Sequence, residues 1–83
     1  MEELGALIFV SVVEGASPVT IGKEIIDKSG VKEVMLISGE WDLMIKFSYN
    51  RMQELSDFVV SQLRAIKGVG KTDTTIILEQ LKQ

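Results

Sequence analysis

Side chains suited to binding a small charged molecule fall in two short motifs in the second half of the chain. The first is Gly39-Glu40-Trp41-Asp42, where a carboxylate lies between a glycine turn and an apolar run. The second is Thr72-Asp73-Thr74, which in an extended strand would place two hydroxyls on one face. Asp42 could bind an ammonium group, and the hydroxyls could bind a carboxylate. Each motif also has a structural interpretation, because Gly and Asp are typical of turns and Thr favours strands.

A third motif resembles a phosphate-binding loop. The segment 65–72 reads Ala-Ile-Lys-Gly-Val-Gly-Lys-Thr and differs from G-x-x-x-x-G-K-T only in its first residue. A phosphate-binding loop follows a strand and begins a helix, so that helix-terminal amides face the phosphate. Here a helical pattern precedes the motif and a β-branched pattern follows it, so we interpret it as a helix end and a turn.

Composition argues against several classes of function. The 83 residues contain no histidine, which is the commonest metal ligand and the commonest general base near neutral pH, and no cysteine, which excludes a thiolate metal site. The net charge of −3 is opposite in sign to that of a typical duplex-binding domain. We find no spacing typical of a nucleophile and its base. The sequence therefore predicts no catalytic residues, no metal, no cofactor and no direct contact with nucleic acid.

The first half of the chain predicts a strand, a helix and a second strand. Residues 4–13 are apolar at both odd and even positions, which favours a strand covered on both faces. The run is too short to span a bilayer, so we expect a cytoplasmic protein. A helix is expected over 18–29, with Ser17 as its N-cap and Gly30 just after its end. Residues 31–38 predict the second strand.

The second half predicts a strand, a helix and a last strand. Residues 41–49 alternate, and one face carries Trp41, Leu43, Ile45, Phe47 and Tyr49. The next helix is expected to be capped by Asn50 together with Gln53. Its apolar stripe consists of Met52, Leu55, Val59, Leu63 and Ile66, widened by Phe58. The last strand is expected to run from Val69 to about Leu81.

This order of elements predicts a single α+β domain over residues 1–83. The order β-α-β-β-α-β is that of the ferredoxin-like fold, a four-stranded antiparallel sheet with two helices on one face. In that topology the first and third strands are central. Helices cover only one face, so apolar residues remain on the other. We therefore expect a homodimer in which two sheets pack face to face, a dimeric α+β barrel.

The chain resembles the effector-sensing (RAM) domain of the Lrp/AsnC family of transcriptional regulators. The resemblance rests on the apolar first strand, Val34, Gly39 with Trp41-Asp42, Phe58, the Ile66-x-Gly68-Val69 turn and Thr72-x-Thr74. It implies dimers that assemble into a ring, an octamer or a decamer, with amino-acid effectors bound between dimers. It also implies an effector site formed by Gly39, Glu40, Trp41, Asp42, Thr72 and Thr74.

The predicted function is therefore a stand-alone amino-acid sensor that lacks a helix-turn-helix and is not an enzyme. As the resemblance implies, it would modulate full-length Lrp/AsnC regulators or amino-acid metabolism. The residues themselves leave two alternative functions open. A cofactor-free dimeric α+β barrel enzyme would need acid–base groups, and a pure oligomerisation module would bind no ligand.

Overall fold

The computed structural model describes residues 4–82 and contains four strands and two helices. The strands are β1 (Leu4–Val12), β2 (Val31–Leu36), β3 (Leu43–Tyr49) and β4 (Val69–Ile77). The helices are α1 (Pro18–Ile26) and α2 (Met52–Asp57), which continues as a π-helix over Phe58–Leu63. The strands form one antiparallel sheet in the order β2-β3-β1-β4. This confirms the predicted ferredoxin-like α+β fold with β1 and β3 at the centre.

One face of the sheet forms the core with both helices. Alternate residues of the central strands are buried, as their period of two requires. The buried set is Ala6, Ile8, Val10, Ile21, Ile25, Leu43, Ile45, Phe47, Tyr49, Leu55, Phe58, Leu63 and Ile66. Phe47 and Phe58 stack with their ring centroids 4.4 Å apart, which fixes α2 over β3.

Helix α1 begins as predicted and ends early. The Ser17 hydroxyl accepts a hydrogen bond from the Thr20 N–H at 3.2 Å, so the predicted N-cap is confirmed. The helix ends at Ile26 rather than near residue 29, because the N–H of Lys28 turns back to the Ile25 carbonyl. Gly30 then has φ +91°, and a Cβ there would lie 2.6 Å from Cε1 of Phe47. Only glycine fits this position.

The start of α2 differs from the expected cap. Arg51, not Asn50, is the N-cap residue, and Glu54 rather than Gln53 supplies the side chain of the capping box. Oε1 of Glu54 accepts hydrogen bonds from the N–H groups of Asn50 and Arg51 at 2.6 and 3.0 Å. These bonds, that of Asn50 first, favour the ionised carboxylate and lower the pKa of Glu54.

The predicted apolar stripe of α2 is buried at Leu55, Phe58, Leu63 and Ile66, and Val59 packs against the core. Phe58 and Leu63 are both buried although five positions apart, a spacing that the wider π-helix allows. At the other end of the stripe, Met52 is 56% exposed. The prediction that Met52 belongs to the buried face was therefore wrong.

Three strands end sooner than predicted, β1 by one residue only, and one strand starts later. Residues 37–42 form a connection without strand structure, so β2 ends at Leu36 and β3 starts at Leu43. The strand β4 ends at Ile77 rather than near Leu81, because Ile77 already pairs with Gly5 at the beginning of β1. Beyond it, Leu78 is 94% exposed.

Candidate functional site

The connection between β2 and β3 is anchored to β1 through Asp42. The N–H of Asp42 donates to the Val10 carbonyl at 2.9 Å, and the Asp42 carbonyl accepts from the Ile37 N–H at 3.0 Å. The carboxylate oxygen Oδ2 accepts a bond from the Val12 N–H at 2.7 Å. One carboxylate oxygen therefore has a structural partner, which leaves Oδ1 as the oxygen available to a ligand.

The bond from Val12 to Asp42 coincides with an irregularity in the sheet. The pairing of β1 with β4 shifts register between Val10 and Val12. On the β4 side, Oγ of Ser11 accepts a bond from the Lys71 N–H at 2.7 Å. The shift is thus held by Asp42 on one side and by Ser11 on the other. Sequence reasoning missed Ser11, since a lone serine inside an apolar strand gives no signal of such a contact.

Trp41 lies against the sheet face that the helices leave open. Its ring centroid is 6.2 Å from that of Phe9, and Phe9 points away from the buried face of β1. The alternation predicted Trp41 on the buried face of β3. That prediction was wrong, because Trp41 lies against the opposite face of the sheet. Gly39 has φ +118° with no atom within 4 Å of an added Cβ, and Glu40 is exposed. This loop is open to a ligand or to another chain.

The two threonines lie on the far side of β1 from the loop. Thr72 pairs with Val10 and Thr74 pairs with Ile8 in the register of β1 with β4. Residues directly opposite each other share a face, so both threonines lie on the helical side of the sheet. Trp41 contacts the opposite side. Within one chain, the threonines and Trp41 are thus not brought together.

The open sheet face is apolar at its centre. Leu7 and Phe9 of β1 lie opposite Lys46 and Met44 of β3 in the antiparallel register, and all are half-buried in the single chain. Met35 of β2 pairs with Met44 and extends this face. We call Leu7, Phe9, Met35 and Met44 the open-face cluster. Solvated apolar groups on a central pair of strands are typical of an interface.

The described part of the chain contains neither a cluster of metal-binding side chains nor a membrane-spanning helix. Among residues 4–82, no group of three or more His, Cys, Asp or Glu side chains is placed to hold a metal ion. Neither helix in this range has the length and apolar character needed to cross a membrane.

Comparison with known families assigns the domain. The profile of the Lrp/AsnC ligand-binding domain matches residues 5–83. The chain belongs to this family. The Lrp/AsnC resemblance seen in the sequence is therefore confirmed.

Relatives of this Lrp/AsnC domain include longer proteins of two kinds. An HTH-type transcriptional regulator of Pyrococcus abyssi is 36% identical over 63 residues, which cover 76% of this chain. The chain spans only 42% of that regulator's length. A homocitrate synthase of Sulfolobus acidocaldarius is 34% identical over 80 residues, which cover 96% of this chain and 17% of the enzyme.

Solved structures share the Lrp/AsnC domain fold. The complex of a Neisseria meningitidis transcriptional regulator with L-Met superposes with a TM-score of 0.88 at 22% identity, covering 96% of this chain and 53% of the regulator. A hypothetical protein from Pyrococcus horikoshii superposes with a TM-score of 0.82 at 22% identity and covers 94% of this chain and 93% of its own.

Proposed function

We propose that this domain binds an amino-acid effector and couples that binding to its own assembly, without catalysing a reaction. The observation that carries the proposal is the match of residues 5–83 to a ligand-binding domain family. The Neisseria meningitidis regulator of the same fold, solved with L-Met, supports an amino acid as the class of ligand. The HTH-type relatives support a role in regulation.

The proposed effector site includes the loop Gly39–Asp42 and the threonines Thr72 and Thr74. An amino acid needs an anion for its ammonium and donors for its carboxylate. Oδ1 of Asp42 could supply the first, because Oδ2 already accepts the Val12 N–H. The threonine hydroxyls could supply the second. The loop and the threonines lie on opposite sides of β1, which favours a site completed by a second chain.

The proposed assembly begins with a homodimer through the open-face cluster. Two copies packed sheet to sheet would remove Leu7, Phe9, Met35 and Met44 from water, which favours association. Dimers would then join through their β2–β3 loops into a ring, an octamer or a decamer. An effector bound between dimers would favour the ring, because a ligand stabilises the state that it binds more tightly.

The test is a thermal-unfolding screen of the purified protein against the standard amino acids at millimolar concentration, with native mass spectrometry of each positive case. A ligand that binds only the native state stabilises it by about 2.7 kcal/mol at a hundredfold excess over its Kd. We expect a chemically related few to raise the Tm and to enrich one ring size. No shift with any amino acid would contradict the sensor and favour the pure oligomerisation module.

One relative favours an enzyme as an alternative partner of this domain. The homocitrate synthase match covers 96% of this chain, so a domain of this kind accompanies an enzyme as well as HTH-type regulators. We infer that the domain transmits effector binding to a partner, either a full-length Lrp/AsnC regulator or a metabolic enzyme. Co-purification with tagged candidates of both kinds, with and without effector, distinguishes them.

A further inference from the structure

An apolar groove lies between α1 and the edge strand β2, on the helical side of the sheet. Its volume is about 210 Å³, and its apolar walls are Val19, Ile26, Val34, Leu36 and Leu43. Three of these side chains, those of Val19, Ile26 and Leu36, are between 48% and 57% exposed. The volume is below the range of about 300–1,000 Å³ that is typical of small-molecule sites. The groove is therefore suited to one or two apolar side chains rather than to a metabolite.

The chain also carries two apolar side chains that its own fold leaves in solvent. Leu78 and Leu81, which follow β4, are 94% and 89% exposed, whereas every other large apolar side chain of residues 4–82 is at most 57% exposed. They lie three positions apart, a spacing that places both side chains on one side of a helical turn. We call residues 78–82 the tail. Two solvated leucines on one short segment are typical of a segment that docks on an apolar surface.

The tail cannot reach the groove of its own chain. The strands β4 and β2 are the two edges of the sheet, three strand spacings or about 14 Å apart. Ile77 lies level with Ser48 across the sheet, whereas Leu36 lies level with Leu43, which adds about 17 Å along the strands. The direct line from Ile77 to Leu36 is therefore about 22 Å and passes through the sheet, while the chain from Ile77 to Leu81 extends over at most about 14 Å. A tail that occupies the groove must come from another chain.

The charges beside the groove and in the tail are complementary. Lys23 is the charged residue that lines the groove, and Glu79, next to Leu78, is the acidic residue of the tail. We propose that the tail of one copy docks in the groove of a second copy, with Leu78 and Leu81 against the apolar walls and Glu79 beside Lys23. This contact uses neither the open-face cluster nor the loop Gly39–Asp42, so it depends neither on the proposed effector nor on the proposed sheet-to-sheet dimer.

The test is disulfide cross-linking, for which the chain is suited because it contains no cysteine of its own. Leu81→Cys and Leu36→Cys proteins, one of them isotopically labelled, are mixed at micromolar concentration under mild oxidation, and mixed dimers are identified by mass. We expect these to form at least about tenfold faster than mixed dimers of Leu81→Cys with Val60→Cys, because docking raises the local concentration of one thiol at the other. Val60 is the matched control, since it is 57% exposed like Leu36 but lies in the π-helical part of α2, outside the groove.

Two further substitutions test whether apolar contacts hold the tail. Leu78→Ser, added to the Leu81→Cys protein, should lower the rate toward that of the control pair, because it removes one docked leucine. Ile26→Ser, added to the Leu36→Cys protein, should do the same from the side of the groove. Met52→Ser is its matched control and should leave the rate unchanged, because Met52 is 56% exposed against 55% for Ile26 and lies outside the groove.

Three results would overturn the proposal. Equal rates for Leu36→Cys and Val60→Cys would show that the thiols meet by random collision. Unchanged rates after Leu78→Ser or Ile26→Ser would show that these side chains do not hold the two copies together. In a chain that carries both Leu36→Cys and Leu81→Cys, a disulfide within the chain in place of one between chains would show that the tail reaches its own groove.

Discussion

Asp42 has a structural role in this fold that its sequence motif does not reveal. Its place after a glycine turn suggested either a turn residue or a ligand carboxylate. In the fold its Oδ2 accepts the N–H of Val12, where the pairing of β1 changes register. That contact joins residues thirty positions apart, and local spacing carries no information about it. The carboxylate could be identified from the sequence, but its partner could not.

Substitution of Asp42 separates its structural role from its proposed ligand role. Asp42→Ala leaves the part-buried Val12 N–H without its acceptor, and we expect the free energy of unfolding to fall by about 1–3 kcal/mol. Asp42→Asn keeps an amide oxygen for that bond and removes the charge. It should therefore unfold nearly as the parent does, yet bind the amino-acid effector more weakly. Chemical denaturation and calorimetry measure the two quantities.

Either of two results would contradict this assignment. If Asp42→Ala unfolds at the same denaturant concentration as the parent, the bond to Val12 contributes no stability. If Asp42→Asn binds effector as tightly as the parent, the ammonium of the effector lies elsewhere.

Among the elements, periodicity predicted the strands and helices but not their ends. The alternation of β3 identified four buried residues correctly, because each strand residue has only two possible faces. In helix α2 the predicted stripe is buried from Leu55 to Ile66, but Met52 in the first turn is exposed. Its cap was also assigned one residue early, because Asn50 is the better capping residue by type while Glu54 decides the geometry.

The cap of α2 should make stability depend on pH. The folded pKa of Glu54 is lowered, so its contribution is fully present above the unfolded pKa of about 4.3. It is lost as the pH falls through the lower folded value. We expect Glu54→Gln, which keeps an acceptor oxygen but no charge, to be less stable than the parent at neutral pH. The difference should shrink on acidification, as measured by denaturant midpoints across pH.

A matched substitution tests whether the effect belongs to the cap. Glu24 is exposed on α1, and its carboxylate accepts no backbone N–H among the described residues. The difference between Glu24→Gln and the parent should not follow the same pH profile. A Glu54→Gln difference that stays constant from neutral to acidic pH would show that ionisation of Glu54 does not act on the helix.

For the whole molecule, the decisive feature is the uncovered face of the sheet. The sequence predicted such a face, because the first strand is apolar at both parities while helices can cover only one side. The residues at the centre of this face could not be predicted without the pairing register of the strands. That register places Phe9 opposite Met44 in β3 and Asp73 in β4. The number of chains in the proposed ring cannot be predicted from the sequence of one chain, because it depends on the angles between subunits.

Phe9→Lys tests the proposed dimer. The new ammonium would lie beside Asp73 on the neighbouring strand, which offsets its cost in the single chain. Between two sheets the same charge would lose its water, and we expect the dimer Kd to rise about a hundredfold or more. Light scattering coupled to size exclusion measures the mass. Val60→Lys, at a 57% exposed position in the π-helical part of α2, is the control and should keep the parent mass. An unchanged mass for Phe9→Lys would exclude this face as the interface.

The pairing of the first strand with the last has a consequence for how such a unit can be carried by larger proteins. Gly5 lies opposite Ile77, so the chain enters and leaves the sheet at neighbouring points, about 5 Å apart. A longer polypeptide can carry this unit at one position in its chain, because the two connections to the unit start from neighbouring points. Recombination can therefore join it to unrelated architectures while each partner keeps its own folding path.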